Sequence, residues 1–312
     1  MANCTKAERE QIAKFDNFYQ LSTHDVLRRI ERHTCGCCYG GNSWTTEKQA
    51  SFMGQKLGLS PQSSLIDIGA GAGWPGLYLS SISGCSLTLV DLPETGLKLA
   101  ADRSIQDKIS ERVTTIVADA AELPFEDQSF DALSHSDLLC CLFSKEKVLT
   151  ECRRIIREQG KMVFSVIYIT PGLDKIDYER AVLNSPDFIQ ADAEYETMLQ
   201  ECGWHIDEQI DLSKDYQETC RLQIEADDLH QEELIKLLGE KQALDRMGNR
   251  RSKLEVIESG LVKRKLFVCF PNNSLPFPYY GCIRFFLNTS VGGFQIHGRT
   301  SVHCGRQTYR HR

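Results

Sequence analysis

Residues 65–73 read Leu-Ile-Asp-Ile-Gly-Ala-Gly-Ala-Gly, an apolar run that meets an acid and then three glycines in alternate positions. A short, continuous apolar run is typical of a parallel strand that is buried on both faces. Gly69, Gly71 and Gly73 allow a sharp turn and a close approach of the backbone to a ligand. A strand that ends in such a turn and leads into a helix predicts a site for a nucleotide-like molecule.

Apolar periodicity predicts that strands and helices alternate around this turn. Strands are expected over 64–69, 86–91, 113–118, 130–135, 161–169, 205–212 and 261–270. Helices are expected over 6–32, from Thr45 or Thr46 through Leu57, and over 75–82, 94–104, 145–157 and 193–203. Residues 171–192 look irregular, and 214–258 form a long, charged helical insert before the last strand. The alternation predicts an α/β fold whose mostly parallel sheet carries helices on both faces.

The composition is that of a globular protein. Apolar residues make up 41% of the 312 residues and charged residues 25%, and the net charge is −7. No apolar run is long enough for a membrane span, and the first residues lack the apolar core of a secretory signal. We therefore expect a cytoplasmic protein with no membrane span, and the acidic charge argues against a nucleic-acid partner.

The 13 cysteines are scattered, except for Cys35-Gly-Cys37-Cys38, which follows His33. Thiolates suit zinc, but the usual spacing of two cysteine pairs is absent. Metal binding and plain packing of reduced thiols both remain open for this cluster, and packing is the expectation, so no metal site is predicted.

The charge is placed unevenly. All 43 acidic residues lie at or before Glu258, and every charged residue beyond it is basic. Such a tail is either a polyanion-binding segment or a poorly ordered appendage, and we expect the latter. The predicted organisation is a helical cap over 1–45, a main domain over 46–271 with inserts near 171–200 and 214–259, and a basic tail over 272–312.

The glycine turn by itself does not identify the ligand. Residues 71–76, Gly-Ala-Gly-Trp-Pro-Gly, match the dinucleotide pattern G-x-G-x-x-G. Asp91 ends the next predicted strand, where a carboxylate can accept hydrogen bonds from two vicinal ribose hydroxyls. Nicotinamide enzymes and methyl-donor enzymes both use such an acid.

A third segment separates the two classes. Residues 119–131 read Asp-Ala-Ala-Glu-Leu-Pro-Phe-Glu-Asp-Gln-Ser-Phe-Asp. Together with the 67–73 turn and Asp91, this block resembles the class I S-adenosylmethionine-dependent methyltransferases, most closely their small-molecule branch. The resemblance extends over residues 42–270. It implies a Rossmann-like, seven-stranded, mostly parallel sheet with an N-terminal helical cap and a helical insert before the last strand.

The resemblance also implies residue roles for S-adenosylmethionine as the cofactor. Gly69, Gly71 and Gly73 would approach its methionine part, and Asp91 would hold the ribose hydroxyls. The other implied donor contacts are Leu92 beside the adenine, Asp119 at the adenine amine with Ala120 next to it, Trp44, and Ser134. Asp67 would either orient the glycine turn or meet the ammonium group of the donor.

The sequence is less informative about the site of the methyl acceptor. His135 follows the fourth strand and is the candidate base, because a free imidazole titrates near pH ~6.5. Asp137 is a candidate helix cap. The expected acceptor is a small molecule that presents an amine, hydroxyl, carboxylate, thiol or activated carbon. The alternatives are an NAD(P)-dependent oxidoreductase and a non-catalytic protein that binds S-adenosylmethionine.

Overall fold

Seven strands and eleven helices alternate along residues 5–40 and 43–272, the part of the chain that this computed structural model describes. The strands are β1 (Ser64–Ile68), β2 (Ser86–Asp91), β3 (Val113–Val117), β4 (Phe130–Ser136), β5 (Ile156–Ile169), β6 (Trp204–Asp211) and β7 (Val262–Pro271). The first six helices are α1 (Lys6–Ser22), α2 (Asp25–Cys35), α3 (Glu47–Leu57), α4 (Gly76–Ser83), α5 (Glu94–Gln106) and α6 (Lys145–Ile155). The others are α7 (Lys175–Leu183), α8 (Tyr195–Glu201), α9 (Ser213–Leu229), α10 (Gln231–Leu238) and α11 (Glu240–Glu258).

The strands form one sheet in the order β3-β2-β1-β4-β5-β7-β6. Every pairing from β3 to β5 is parallel, and only β7 runs antiparallel to its neighbours β5 and β6. The predicted seven-stranded, mostly parallel α/β sheet is thus confirmed. The chain reverses direction across the sheet between β1 and β4, which is where ligands bind in open α/β sheets.

The sheet has an apolar layer on each face. Phe164, Ile66 and Leu133 belong to one layer, and Leu65, Val163 and Leu89 belong to the other. Alternate residues of β1 and β5 enter opposite layers, as expected for strands buried on both sides. This burial explains why β1 appears in the sequence as an unbroken apolar run.

Three predicted segments differ from the structure. The helix expected over 6–32 is two helices, because the chain breaks at Thr23 and extended His24 precedes α2. The region 171–192, expected to be irregular, contains α7, which has only one buried residue, Ala181, and so little apolar periodicity to detect. The insert over 214–258 is three helices, α9 to α11, divided at His230 and Gly239.

The helical cap packs on the helical insert. Val26, Leu27 and Ile30 of α2 form a buried cluster with Ala226 of α9 and Leu234 of α10. Two parts of the chain that are distant in sequence therefore pack against each other.

None of the described helices is long and apolar enough to span a membrane. The basic tail expected over 272–312 lies, beyond Asn272, outside the described residues.

Candidate active site

A cavity of about 350 Å³ lies at the carboxyl ends of β1, β2 and β4. The glycine turn, the end of β2 and the end of β4 form its floor. Residues of α1, residues 185–187 and Lys253 of α11 form other parts of its wall. The lining includes Phe15, Phe18, Tyr19, Trp44, Gly69, Gly71, Asp91, Leu92, Ser136, Asp137, Cys141, Ser185 and Lys253.

The glycine turn is shaped by positive φ angles and by close contacts. Gly69 and Gly71 have φ values of 69° and 52°, and a Cβ on Gly71 would lie 2.5 Å from Tyr19 Oη. The amide of Gly69 donates to Val90 O at 2.8 Å and that of Gly71 to Asp91 Oδ2 at 2.7 Å. The amides of these glycines are thus bonded within the protein. Their contribution to a ligand site is the missing side chain, which lets the backbone form the cavity floor.

Asp91 has a carboxylate held on both oxygens. Oδ2 accepts from Gly71 N at 2.7 Å, and Oδ1 accepts from Leu92 N at 2.8 Å. Burial raises the pKa of Asp91 to about 6, and these two backbone bonds act in the opposite direction. Each carboxylate oxygen keeps a second lone pair. Asp91 can therefore accept two further hydrogen bonds from a diol that enters the cavity.

Asp67 and Ser134 support the turn from below. Ser134 donates to Asp67 Oδ1 at 2.7 Å, and Gly76 N donates to Oδ2 at 3.1 Å. Asp67 and Ser134 are buried and neither lines the cavity, and burial raises the pKa of Asp67 to about 7. Of the two roles considered for Asp67, these contacts favour orientation of the turn. Gly73, also behind the cavity wall, leaves room for the Leu77 side chain.

Helix α1 closes the cavity with aromatic side chains. Phe15, Phe18 and Tyr19 face inward, and Tyr19 is buried against Gly71. The Lys14 Nζ to Asp187 Oδ2 ion pair, at 2.9 Å, joins α1 to the segment after α7. The cap is thus a wall of the site as well as an N-terminal addition.

The end of β4 provides polar atoms. Ser136 and Asp137 line the cavity, and the Oγ of Ser136 and Oδ2 of Asp137 have no hydrogen-bond partner in the described part of the chain. The other oxygen of Asp137 accepts from Arg264 Nε at 2.9 Å and from Ser165 Oγ at 3.1 Å. Asp137 also has a φ of 54°, which is unusual for a residue with a side chain. The carboxylate is therefore fixed in place, and one of its oxygens has no partner among the described residues.

His135 lies away from the cavity. Its side chain is fully buried and stacks on Phe164, with ring centroids 4.4 Å apart. Neither ring nitrogen has a hydrogen-bond partner among the described residues, and burial lowers the pKa of His135 to about 3. A neutral imidazole sealed in the core does not reach a proton in the cavity. The base role expected for His135 therefore has no support in the geometry.

Asp119 and Ala120 follow β3, one strand beyond Asp91. Asp119 is exposed, and its Oδ1 accepts from Ala121 N at 2.8 Å. The segment is tied to β2 by the hydrogen bond from Ala118 N to Asp91 O at 3.1 Å. Neither residue lines the cavity. A ligand would reach them only by extending past Leu92.

Of the predicted donor contacts, five line the cavity together: Trp44, Gly69, Gly71, Asp91 and Leu92. Sequence reasoning missed the inward faces of Tyr19 and Lys253. The only sequence signals were the apolar periodicity of the first helix and the position of the charged insert before the last strand.

The cysteine cluster packs as apolar side chains. Cys35 and Cys37 are buried in a cluster with Ala50 and Trp74. Burial, followed by the nearby Glu31, raises the pKa of Cys35 to about 12, so the thiol stays protonated. Within residues 5–40 and 43–272, no group of three or more His, Cys, Asp or Glu side chains is placed to hold a metal ion.

The chain is similar in sequence to known proteins. Residues 66–164 match the family model described as a methyltransferase domain. Methyltransferase GfsG of Streptomyces halstedii is 24% identical over 201 residues, which cover 62% of this chain and 70% of that protein. The 27-O-demethylrifamycin SV methyltransferase of Amycolatopsis mediterranei is 28% identical over 174 residues, which cover 54% of this chain and 64% of that protein.

The fold comparison agrees. The solved structure of phosphoethanolamine N-methyltransferase 2 of Haemonchus contortus, in complex with phosphomonomethylethanolamine and S-adenosylhomocysteine, has a TM-score of 0.67. It is 20% identical, and the match covers 82% of this chain and 60% of that one.

The strand order and the cavity at the β1–β4 reversal define the class of Rossmann-like methyltransferases. With the family match, the chain is a class I S-adenosylmethionine-dependent methyltransferase. The predicted family, enzyme class and cofactor are confirmed. This result selects the methyl-donor interpretation over the nicotinamide alternative that the 71–76 pattern had left open.

Proposed function

We propose that this methyltransferase transfers the methyl group of S-adenosylmethionine to a small molecule by in-line displacement, inside the cavity at the ends of β1, β2 and β4. One observation carries the proposal. The glycine turn, the Asp91 carboxylate and the polar end of β4 line a single cavity. A donor held by the first two would direct its far end toward the third.

The residues present fit the donor. Asp91 has free lone pairs for both ribose hydroxyls, and each such charge-assisted bond contributes roughly 1.5–3 kcal/mol. Leu92 provides an apolar edge for the adenine, and Gly69 and Gly71 line the space proposed for the methionine part. Trp44 lines the same space.

Other predicted donor residues act less directly in this proposal. Asp67, Ser134 and Gly73 hold the shape of the turn through the contacts described above. Asp119 and Ala120 remain the proposed partners of the adenine amine, because they follow β3 beside Asp91, where the base would leave the cavity.

When bound, S-adenosylmethionine supplies a methyl carbon that an acceptor lone pair attacks in line, while the carbon–sulfur electron pair returns to sulfur and leaves a thioether. The protein positions the two partners and excludes water, and such positioning contributes roughly 7–11 kcal/mol to barrier reduction. Phe18, Trp44 and Leu142 provide apolar walls for this purpose. No proton transfer is assigned to His135, because its ring is sealed in the core.

The size of the site suits a small acceptor. The cavity of about 350 Å³ is lined partly by α1, which the Lys14–Asp187 pair joins to the segment after α7. The net charge of −7 adds a repulsive interaction with nucleic acids. Two of the similar proteins are named for small acceptors, a demethylrifamycin and phosphoethanolamine.

The domain division stays a proposal: a helical cap over 1–45, the methyltransferase domain over 46–271 and a tail beyond it. The cytoplasmic location likewise remains a prediction from the sequence.

Two measurements test the proposed function. Isothermal titration calorimetry should show that S-adenosylmethionine and S-adenosylhomocysteine bind and that NADH does not. Incubation with methyl-labelled donor and a metabolite extract should transfer label to a small-molecule fraction. Donor binding without transfer to any fraction would favour the non-catalytic alternative, and NADH binding without donor binding would contradict the proposed cofactor site.

A further inference from the structure

Lys253 places a cation in the cavity wall. It belongs to α11, lines the cavity, and has its Nζ 5.0 Å from the centre of the Trp44 ring. No carboxylate of the described residues forms an ion pair with it. Burial is the main cause that lowers the pKa of Lys253. A partly buried ammonium without an anionic partner is costly to the protein alone.

The other charged groups near it are already balanced. Asp137 is paired with Arg264, and Lys14 is paired with Asp187. Arg250, one turn before Lys253 on α11, pairs with Asp227 at 2.7 Å. Lys253 is therefore the cavity cation whose charge an anionic ligand would neutralise.

Unpartnered polar atoms mark the same cavity. Ser136 Oγ, Asp137 Oδ2 and Ser185 Oγ are buried and have no hydrogen-bond partner in the described part of the chain. They come from the end of β4 and from the segment after α7, whereas Gly71 follows β1 and Asp91 is the last residue of β2. Buried polar groups in proteins are nearly always hydrogen-bonded, so these atoms indicate a polar ligand.

We propose that Lys253 binds an anionic group, a carboxylate or a phosphate, on the methyl acceptor. Its ammonium donates to the anionic oxygens, and the free oxygens of Ser136, Asp137 and Ser185 accept N–H or O–H groups of the same molecule. This inference rests on the proposed function, and it adds the chemical class of the substrate. The alternative anionic partner of Lys253 is the carboxylate group of S-adenosylmethionine.

The first experiment separates donor from acceptor. Calorimetry compares S-adenosylhomocysteine with 5′-methylthioadenosine, which lacks the amino-acid part, on the wild type, Lys253→Met and the control Lys241→Met. Lys241 is an exposed lysine on the same helix. For each ligand, the affinity should be the same in all three proteins. The contrary result is a loss of affinity of about tenfold or more for S-adenosylhomocysteine in Lys253→Met, with no loss for 5′-methylthioadenosine or in Lys241→Met. That result would assign Lys253 to the donor carboxylate and overturn the inference.

The second experiment tests the acceptor charge. A metabolite extract of the source cells is divided by ion exchange into anionic, neutral and cationic pools, and each pool is incubated with methyl-labelled donor. The wild type and Lys241→Met should label the anionic pool. Lys253→Met should lower that labelling at least about tenfold, and Lys253→Arg should retain most of it.

Three results would contradict the expectation. Label in the neutral or cationic pool alone would overturn the anionic acceptor while leaving methyl transfer intact. Anionic labelling that is insensitive to Lys253→Met would remove the role of Lys253. No label in any pool, with the donor bound, would overturn the proposed function and this inference with it.

Discussion

The buried guanidinium of Arg264 donates through Nε to Oδ1 of Asp137 at 2.9 Å, while Oδ2 of that carboxylate stays free at the cavity. The same guanidinium donates to Gln49 Oε1 at 2.9 Å, Thr45 Oγ1 at 2.8 Å and Ser165 Oγ at 2.9 Å. Arg264 thus joins β7 to β4, β5 and the start of α3. It satisfies its own buried charge and fixes the position of a cavity carboxylate.

Arg264→Met should strongly destabilise the protein. The substitution leaves Asp137 buried without its partner, which costs about 3–5 kcal/mol of unfolding free energy. Urea unfolding measures the loss. The control is Arg251→Met, which removes an exposed pair with Asp228 and should cost at most about 1 kcal/mol. Equal losses for the two variants would mean that the Arg264 network contributes no more than a surface pair.

Asp91→Ala should weaken S-adenosylhomocysteine binding by about one to two decades in Kd. The variant removes the acceptor for the ribose hydroxyls and also the contact that holds Gly71 N. Calorimetry measures the affinity, with Asp102→Ala, an exposed acid of α5, as the control. Unchanged affinity would show that the ribose binds elsewhere.

Gly71→Ala should lower donor affinity at least about tenfold, because its Cβ would clash with Tyr19 and distort the cavity floor. Gly172→Ala is the matched control. Gly172 also has a positive φ, 79°, but a Cβ there would have no heavy atom within 4 Å. Both variants should lose about 1–2 kcal/mol of stability from the backbone conformation. If Gly172→Ala weakened the donor equally, the effect on binding would come from general destabilisation.

His135→Phe should make the protein less sensitive to acid. The pKa of His135 is near 3 in the folded protein and 6.5 in the unfolded chain, so the unfolded state binds the extra proton first as pH falls. The stability contributed by the neutral ring is present above pH 6.5 and is lost as pH falls toward 3.

At pH 5 the loss amounts to about 2 kcal/mol. Unfolding free energies of the wild type and of His135→Phe are measured at pH 8 and at pH 5. Between these pH values the wild type should lose that amount more than the variant does. Parallel values would indicate an imidazole that is open to protonation. S-adenosylhomocysteine affinity should be the same for both proteins, since the ring lies outside the cavity.

The side of the cavity formed by the glycine turn and the end of β2 was largely predictable, while the side formed by the end of β4 was not. Gly69, Gly71 and Asp91 stand where apolar strands end, and carboxyl ends of parallel strands share one sheet edge, so local patterns place them together. At the end of β4, the role of each residue depends on which face of the sheet its side chain occupies. Ser134 faces Asp67, whereas His135 faces the opposite layer and stacks on Phe164. A shift of one residue along a strand exchanges the two faces, which is why His135 looked available in the sequence.

The sequence by itself determined the seven strands, the glycine turn and the acid at the end of β2, because apolar periodicity and turn chemistry are local properties. Tertiary structure alone decided which side chains enclose the cavity. Tyr19 reaches Gly71, and Lys253 reaches the ring of Trp44, from helices distant in the chain. Such contacts depend on how the cap and the insert pack over the sheet, and the apolar periodicity of a helix does not specify which distant residues it packs against.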